Sequence, residues 1–88
     1  MTEVVTANEL RSGAVVYLAA EGRWVERLAS AAVAENEAAL QRLSSLAAAS
    51  VERCEVTAVY AFDVRIVDGR PEPISVRERL RAARAPSV

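Results

Sequence analysis

Histidine and lysine are both absent from the 88-residue chain, and Cys54 is its only cysteine. Without histidine, the chain has no Ser-His or Cys-His nucleophile pair and no imidazole ligand for a metal. Without lysine, it can form no Schiff base. One cysteine cannot make an internal disulfide, a structural zinc site or an iron–sulfur cluster. We therefore expect a protein that is not an enzyme and that carries no cofactor and no metal.

Long hydrophobic runs and glycine clusters are also missing. No apolar run approaches the ~20 residues that a membrane span requires, so we expect no membrane association. The first ten residues, MTEVVTANEL, lack the layout of a signal peptide, and a single cysteine fits a reducing compartment, so we expect a cytoplasmic protein. The three glycines, Gly13, Gly22 and Gly69, are too far apart to form a phosphate-binding loop.

The composition predicts one folded domain over residues 1–88. Hydrophobic residues make up 52% of the chain and the net charge is −1, which favours folding over disorder. A chain of this length has no room for a second core. We expect an ordered core from about residue 3 to about residue 80, followed by a frayed tail at residues 84–88.

Residues 3–7 are a short β-prone segment, which the turn-forming residue Asn8 ends. A β-hairpin is predicted next, over residues 13–28. Its first strand is apolar on both faces, which is typical of a strand inside a sheet. The turn lies at Glu21-Gly22, and the return strand carries Trp24, the only tryptophan. We expect Trp24 to cover the core near the rim of the sheet.

A helix follows, with Asn36 as its N-cap and Glu37 in the first turn, where the helix dipole favours an acid. Its apolar side chains recur at steps of three or four residues, which predicts one buried stripe. The members of the stripe are Leu40, Leu43, Ala47, Ser50 or Val51, and Cys54.

A second hairpin closes the fold. Residues 56–67 alternate between apolar and mixed positions, with Tyr60, Phe62, Val64 and Ile66 on one face. Asp68-Gly69 is a strong hairpin-turn signal, and Pro71 and Pro73 restrict the return segment to an edge strand. The chain therefore predicts an α+β domain: a small curved antiparallel sheet of two β-hairpins, with the helix between them packed on one face.

Two isolated side chains, Asp63 and Cys54, are candidates for a chemical role. Asp63 could act as a general acid or base, but a carboxylate on an exposed strand face is more often a cross-strand partner, here of Arg65 or a neighbour. Cys54 could be a redox or ligand-binding thiol, but at the apolar stripe of a helix we expect a small buried hydrophobe.

Arginine supplies all eleven positive charges, and it defines the candidate binding residues. Arg23 and Arg27 flank Trp24 and would form a contact patch if that face is open. The C-terminal arginines Arg77, Arg79, Arg81 and Arg84 could bind a protein partner or phosphate groups. No aromatic residue is interleaved with them, so a protein partner is favoured over nucleic acid.

Several segments resemble a family of short bacterial proteins known as domain of unknown function 2849. The similarity runs from Val4 to about Ala83. It is carried by Thr6-Ala7-Asn8, Gly13-Ala14-Val15-Val16-Tyr17-Leu18, Gly22-Arg23-Trp24, Asp68-Gly69-Arg70-Pro71 and Arg77-Glu78-Arg79. The resemblance implies a gene located near those for assimilatory sulfite or nitrite reductase and for sirohaem synthesis. It implies no activity and no binding residue.

These observations lead to one main functional hypothesis and two alternatives. The main hypothesis is a non-catalytic accessory protein that binds a protein partner, such as a component of sulfite reduction. The alternatives are a nucleic-acid-binding domain that uses the C-terminal arginines, and a ligand-binding or redox protein centred on Cys54. We expect a monomer or a weak homodimer, since the strand at residues 56–67 could pair across a dimer if it lies at an edge.

Overall fold

Five antiparallel strands and one long helix make up the computed structural model, which describes residues 2–75 and 78–80. The elements are β1 (Glu3–Glu9), β2 (Val15–Leu18), β3 (Trp24–Val25), a short 3-10 helix (Leu28–Ser30), α1 (Glu37–Glu52), β4 (Val56–Val67) and β5 (Arg70–Pro73). The strands form one curled sheet, a half-barrel, in the order β3-β2-β1-β4-β5. The predicted α+β fold with a curved antiparallel sheet and one main helix is confirmed. The frayed tail predicted at residues 84–88 lies outside the described residues.

The centre of the sheet is β1, which pairs with β2 on one side and with β4 on the other. The sequence marked this segment only as β-prone over residues 3–7, and β1 continues two residues further, to Glu9. Four consecutive residues, from Val4 to Ala7, are buried because both faces of the strand are covered. The hairpin of β2 and β3 is confirmed, and β2 is an interior strand as its apolar faces predicted.

A bulge near the start of β4 changes which side chains share a face. Asn8 lies opposite Thr57 and Thr6 lies opposite Tyr60, so β4 has one residue more than β1 between these pairs. Ala58 takes a φ of 56°, as expected at a bulge. The bounds of β4 are as predicted, and the strand lies between β1 and β5 in the sheet order, with β5 paired along Val64 to Val67 of β4.

Separate apolar clusters cover the two faces of the sheet. On the helix face, α1 packs with buried Leu43 and Ala47 against buried Val5 and Leu18. On the opposite face, a second cluster consists of Val4, Tyr17, Phe62 and Val64, with side chains from the segment around the 3-10 helix packed against it. The 3-10 helix also contacts β5, so it reaches from one edge of the curled sheet to the other.

The predicted start of α1 is confirmed, and its predicted stripe extends too far. Asn36 Oδ1 accepts a hydrogen bond from the Ala39 N–H at 2.8 Å, which is an N-cap. Near the end of the helix, Ser50 takes the buried position and Val51 is exposed. Cys54 lies beyond the helix and is exposed, so its predicted burial is wrong. The helix stops at Glu52, before the next turn that would have placed Cys54 on the stripe.

The second hairpin has the turn that its sequence predicted. Asp68 and Gly69 both have positive φ, 52° and 75°, as a type I′ turn requires. The return strand β5 pairs only with β4 and forms an edge of the sheet, as the two prolines predicted. Beyond β5, residues 78–80 are helical.

Candidate functional site

The predicted contact patch around Trp24 is only partly open. Trp24 is half-buried, packs against the core on the helix face, and donates its indole N–H to Ser50 Oγ at 3.0 Å. Arg23 and Arg27 are exposed. Arg23 makes a 3.8 Å ion pair with Glu21, a surface contact of little energetic weight. The arginines are therefore accessible, whereas the indole serves the packing between β3 and α1.

Most of the C-terminal arginines cannot be placed. Arg77, Arg81 and Arg84 lie outside the described residues. Arg79 is exposed, and its Nε donates a hydrogen bond to the Pro73 carbonyl at 3.1 Å. This bond holds the helical residues 78–80 against the end of β5.

A cleft of about 320 Å³ lies where β4 meets the segment that follows β5. It is lined by Phe62, Asp63, Ile74, Ser75 and Glu78, and we call it the Glu78 cleft. The Ile74 N–H reaches the Asp63 carbonyl at 3.4 Å and ties the two segments together. The volume of the Glu78 cleft is at the lower end of the range found for small-ligand sites.

Glu78 is the unusual residue of this cleft because it is an acid with only 6% of its surface exposed. Its Oε2 accepts a hydrogen bond from the Tyr60 hydroxyl at 2.6 Å. Its Oε1 is buried and has no hydrogen-bond partner in the part of the chain that the structure describes. Buried carboxylate oxygens are normally paired, since removing them from water is costly.

Glu78 was not singled out from the sequence, where it stands within a run of arginines. The residue that positions it, Tyr60, is 18 positions earlier, and only the folding of the β4–β5 hairpin brings the two together. Asp63, which the sequence did single out, lies in the same cleft. The carboxyl groups of Asp63 and Glu78 can accept hydrogen bonds and attract cations, the Ser75 hydroxyl can also accept, and Phe62 and Ile74 add apolar surface.

The sequence model of a family described as proteins of unknown function, DUF2849, matches residues 3–88. The chain belongs to this family. The match covers all five strands and α1, so the resemblance found in the sequence is confirmed. No curated protein and no solved structure matches this DUF2849 chain.

Cys54 of the DUF2849 chain is an exposed free thiol between two oppositely charged neighbours. Arg53 Nε donates to Glu55 Oε2 at 3.2 Å. The hydrogen bond and the charge of Glu55 raise the pKa of Arg53, and the hydrogen bond from Arg53 lowers the pKa of Glu55. The guanidinium of Arg53, which precedes Cys54, is thus paired with the carboxylate of Glu55.

Two kinds of feature are absent from residues 2–75 and 78–80 of the DUF2849 chain. Among these residues, no three acidic or cysteine side chains are grouped closely enough to hold a metal ion. In the same part of the chain, no helix is both long and apolar enough to cross a membrane.

Proposed function

We propose that this DUF2849 protein is a non-catalytic accessory protein that acts by binding a larger protein. Ile66 and Val67 project from opposite faces of β4 at the end of the β4–β5 hairpin. Together with Ile74 and Leu80 they are the proposed contact, and we call these four exposed side chains the C-terminal apolar surface. Their exposures are 50%, 36%, 55% and 56%. Clusters of exposed apolar side chains on small proteins commonly mark protein interaction sites.

The distribution of exposed apolar side chains is the observation that carries the proposal. Six large apolar side chains are exposed among the described residues, and four of them lie between positions 66 and 80. Exposed charged residues of the same hairpin, including Arg65, Arg70 and Glu72, surround them in sequence. Protein interfaces combine apolar and charged side chains, as this part of the chain does.

The partner we propose is a component of assimilatory sulfite reduction. The support is the gene neighbourhood that the family resemblance implies. A protein without histidine, lysine or a second cysteine is suited to assist such a redox enzyme by binding it, since it lacks the side chains for most covalent or metal-based steps.

The test is co-expression with the cognate sulfite reductase, followed by affinity capture. We expect capture by the native chain and at least a several-fold loss with Ile66→Ser and with Leu80→Ser. Leu10→Ser is the matched control, because Leu10 is 51% exposed against 50% for Ile66. Leu10 pairs with Glu55 beside the start of β4, whereas Ile66 is near its end, roughly 30 Å along the strand.

Exposed polar substitutions of this kind change folding free energy little, so lost capture reports the contact itself. If the native chain fails to capture the reductase, the proposed partner is wrong. Equal capture by the native chain and by the Ile66 and Leu80 variants would place the contact elsewhere and contradict the proposed surface.

A further inference from the structure

The carboxylate of Glu78 is buried, and only one of its two oxygens has a hydrogen-bond donor among the described residues. Tyr60 donates to Oε2, while none of the described residues donates to Oε1, and the residue as a whole is 6% exposed. A buried carboxylate oxygen that lacks a hydrogen-bond donor destabilises the folded state, because it has lost its bonds to water. A protein keeps such a group at low cost when another molecule or segment supplies the missing donor.

The described residues around the cleft offer no positive charge to this carboxylate. Arg79 is adjacent in sequence, but its Nε is bonded to the Pro73 carbonyl. The two ion pairs found among the described residues, Arg23–Glu21 and Arg53–Glu55, involve neither Glu78 nor Asp63. Within residues 2–75 and 78–80, the Glu78 cleft therefore combines two carboxylates that make no ion pair.

We propose that the Glu78 cleft binds a guanidinium group, with Glu78 as the buried acceptor and Asp63 as the second carboxylate. A guanidinium carries five N–H donors in a planar fork and so can serve two carboxylates at once. The Ser75 hydroxyl is a further acceptor, and the side chains of Phe62 and Ile74 contact the apolar part of the bound molecule. The volume of about 320 Å³ accommodates a group of this size.

The test is an NMR titration of the full chain with methylguanidinium chloride at constant ionic strength. We expect saturable shifts of the backbone amides of Asp63, Ile74 and Ser75. Methylurea, a neutral molecule of similar shape, should leave these amides unchanged. Glu78→Gln keeps the side-chain volume and should weaken binding by at least tenfold, whereas Glu72→Gln, an exposed carboxylate on β5, should change it by less than twofold.

Asp63→Asn provides a second variant if Glu78→Gln does not fold, because Asp63 is exposed; we expect it to weaken binding several-fold. The source of the guanidinium is distinguished by a chain carrying Arg77→Gln, Arg81→Gln and Arg84→Gln. If the native chain binds methylguanidinium, the cleft takes a guanidinium from another molecule. If only the triple variant binds methylguanidinium, one of these three arginines occupies the cleft in the native chain.

The proposal is overturned if neither chain shows saturable shifts, or if methylurea produces the same shifts. It is also overturned if binding is unchanged in a folded Glu78→Gln chain, or, where that chain does not fold, in Asp63→Asn. The titration requires no partner protein, so its result is independent of the capture experiment on the C-terminal apolar surface.

Discussion

Cys54 occupies the position directly after the C-cap of α1, where the backbone turns left-handed. Its φ is 59°, its N–H donates to the Val51 carbonyl, and the Glu55 N–H donates to the Ser50 carbonyl, each at 3.0 Å. These two bonds form a Schellman motif, in which glycine is the usual residue at this position. A side chain with a Cβ is strained there, so Cys54 weakens the end of the helix.

Replacing Cys54 with glycine should therefore stabilise the protein. We expect Cys54→Gly to raise the free energy of unfolding by about 0.5–1 kcal/mol, measured by urea denaturation in reducing buffer. Ala48→Gly, at an exposed position inside α1, is the control and should lower it by about 1 kcal/mol. Destabilisation by Cys54→Gly would show that the thiol makes a contact that outweighs the strain.

At the level of elements, one hydrogen bond connects the edge strand β3 to α1. The Trp24 indole N–H donates to Ser50 Oγ at 3.0 Å, and Ser50 is fully buried. Arg53 Nη2 also donates to this hydroxyl, at 3.3 Å. A two-residue strand has few ladder bonds, so this side-chain bond contributes to holding β3 in place.

Removing the hydroxyl should destabilise the protein measurably. We expect Ser50→Ala to lower the free energy of unfolding by about 1–2 kcal/mol, because the indole N–H loses its partner. In a double-mutant cycle with Trp24→Phe, followed by far-UV circular dichroism, the coupling energy should be about 0.5–1.5 kcal/mol. Ser45→Ala, on the exposed side of α1, is the control, with an expected change within about 0.5 kcal/mol. A coupling energy near zero would contradict the role of this bond.

The elements that could be predicted from the sequence are those with local signals. The Asp68-Gly69 turn and the Asn36 cap each act within a few residues, and both are confirmed. The central place of β1 depends on pairing with β4 some fifty residues later, which no local pattern of β1 contains. The end of α1 was missed because a periodic stripe does not itself show where the helix stops.

The candidate site was less predictable than the fold because it depends on contacts between residues that are far apart in the sequence. Glu78 is defined by burial and by its contact with Tyr60, and both arise only when β5 and the following residues fold back along β4. Asp63 could be selected from its strand, but its lining of a cleft depends on Ile74 and Glu78. The sequence favoured a role for Asp63 as an exposed cross-strand partner, and that role gives no indication of a cleft.

For the whole molecule, β1 links the two apolar clusters into one unit. Val4 and Val5 are consecutive, fully buried, and belong to different clusters, because successive strand residues point to opposite faces. If β1 unfolds, both clusters therefore lose buried side chains at the same time. A chain built in this way should unfold as a single cooperative unit.

This cooperativity can be tested with the only tryptophan, which reports on the helix face, and a substitution on the opposite face. Val64→Ala should lower the free energy of unfolding by about 2 kcal/mol, since Val64 is buried in the opposite cluster. We expect the urea midpoints from Trp24 fluorescence and from far-UV circular dichroism to fall together. Val51→Ala, at a residue 44% exposed, should change both by little. If Val64→Ala shifts the circular dichroism midpoint but not the fluorescence midpoint, the two faces unfold separately, and β1 does not couple them.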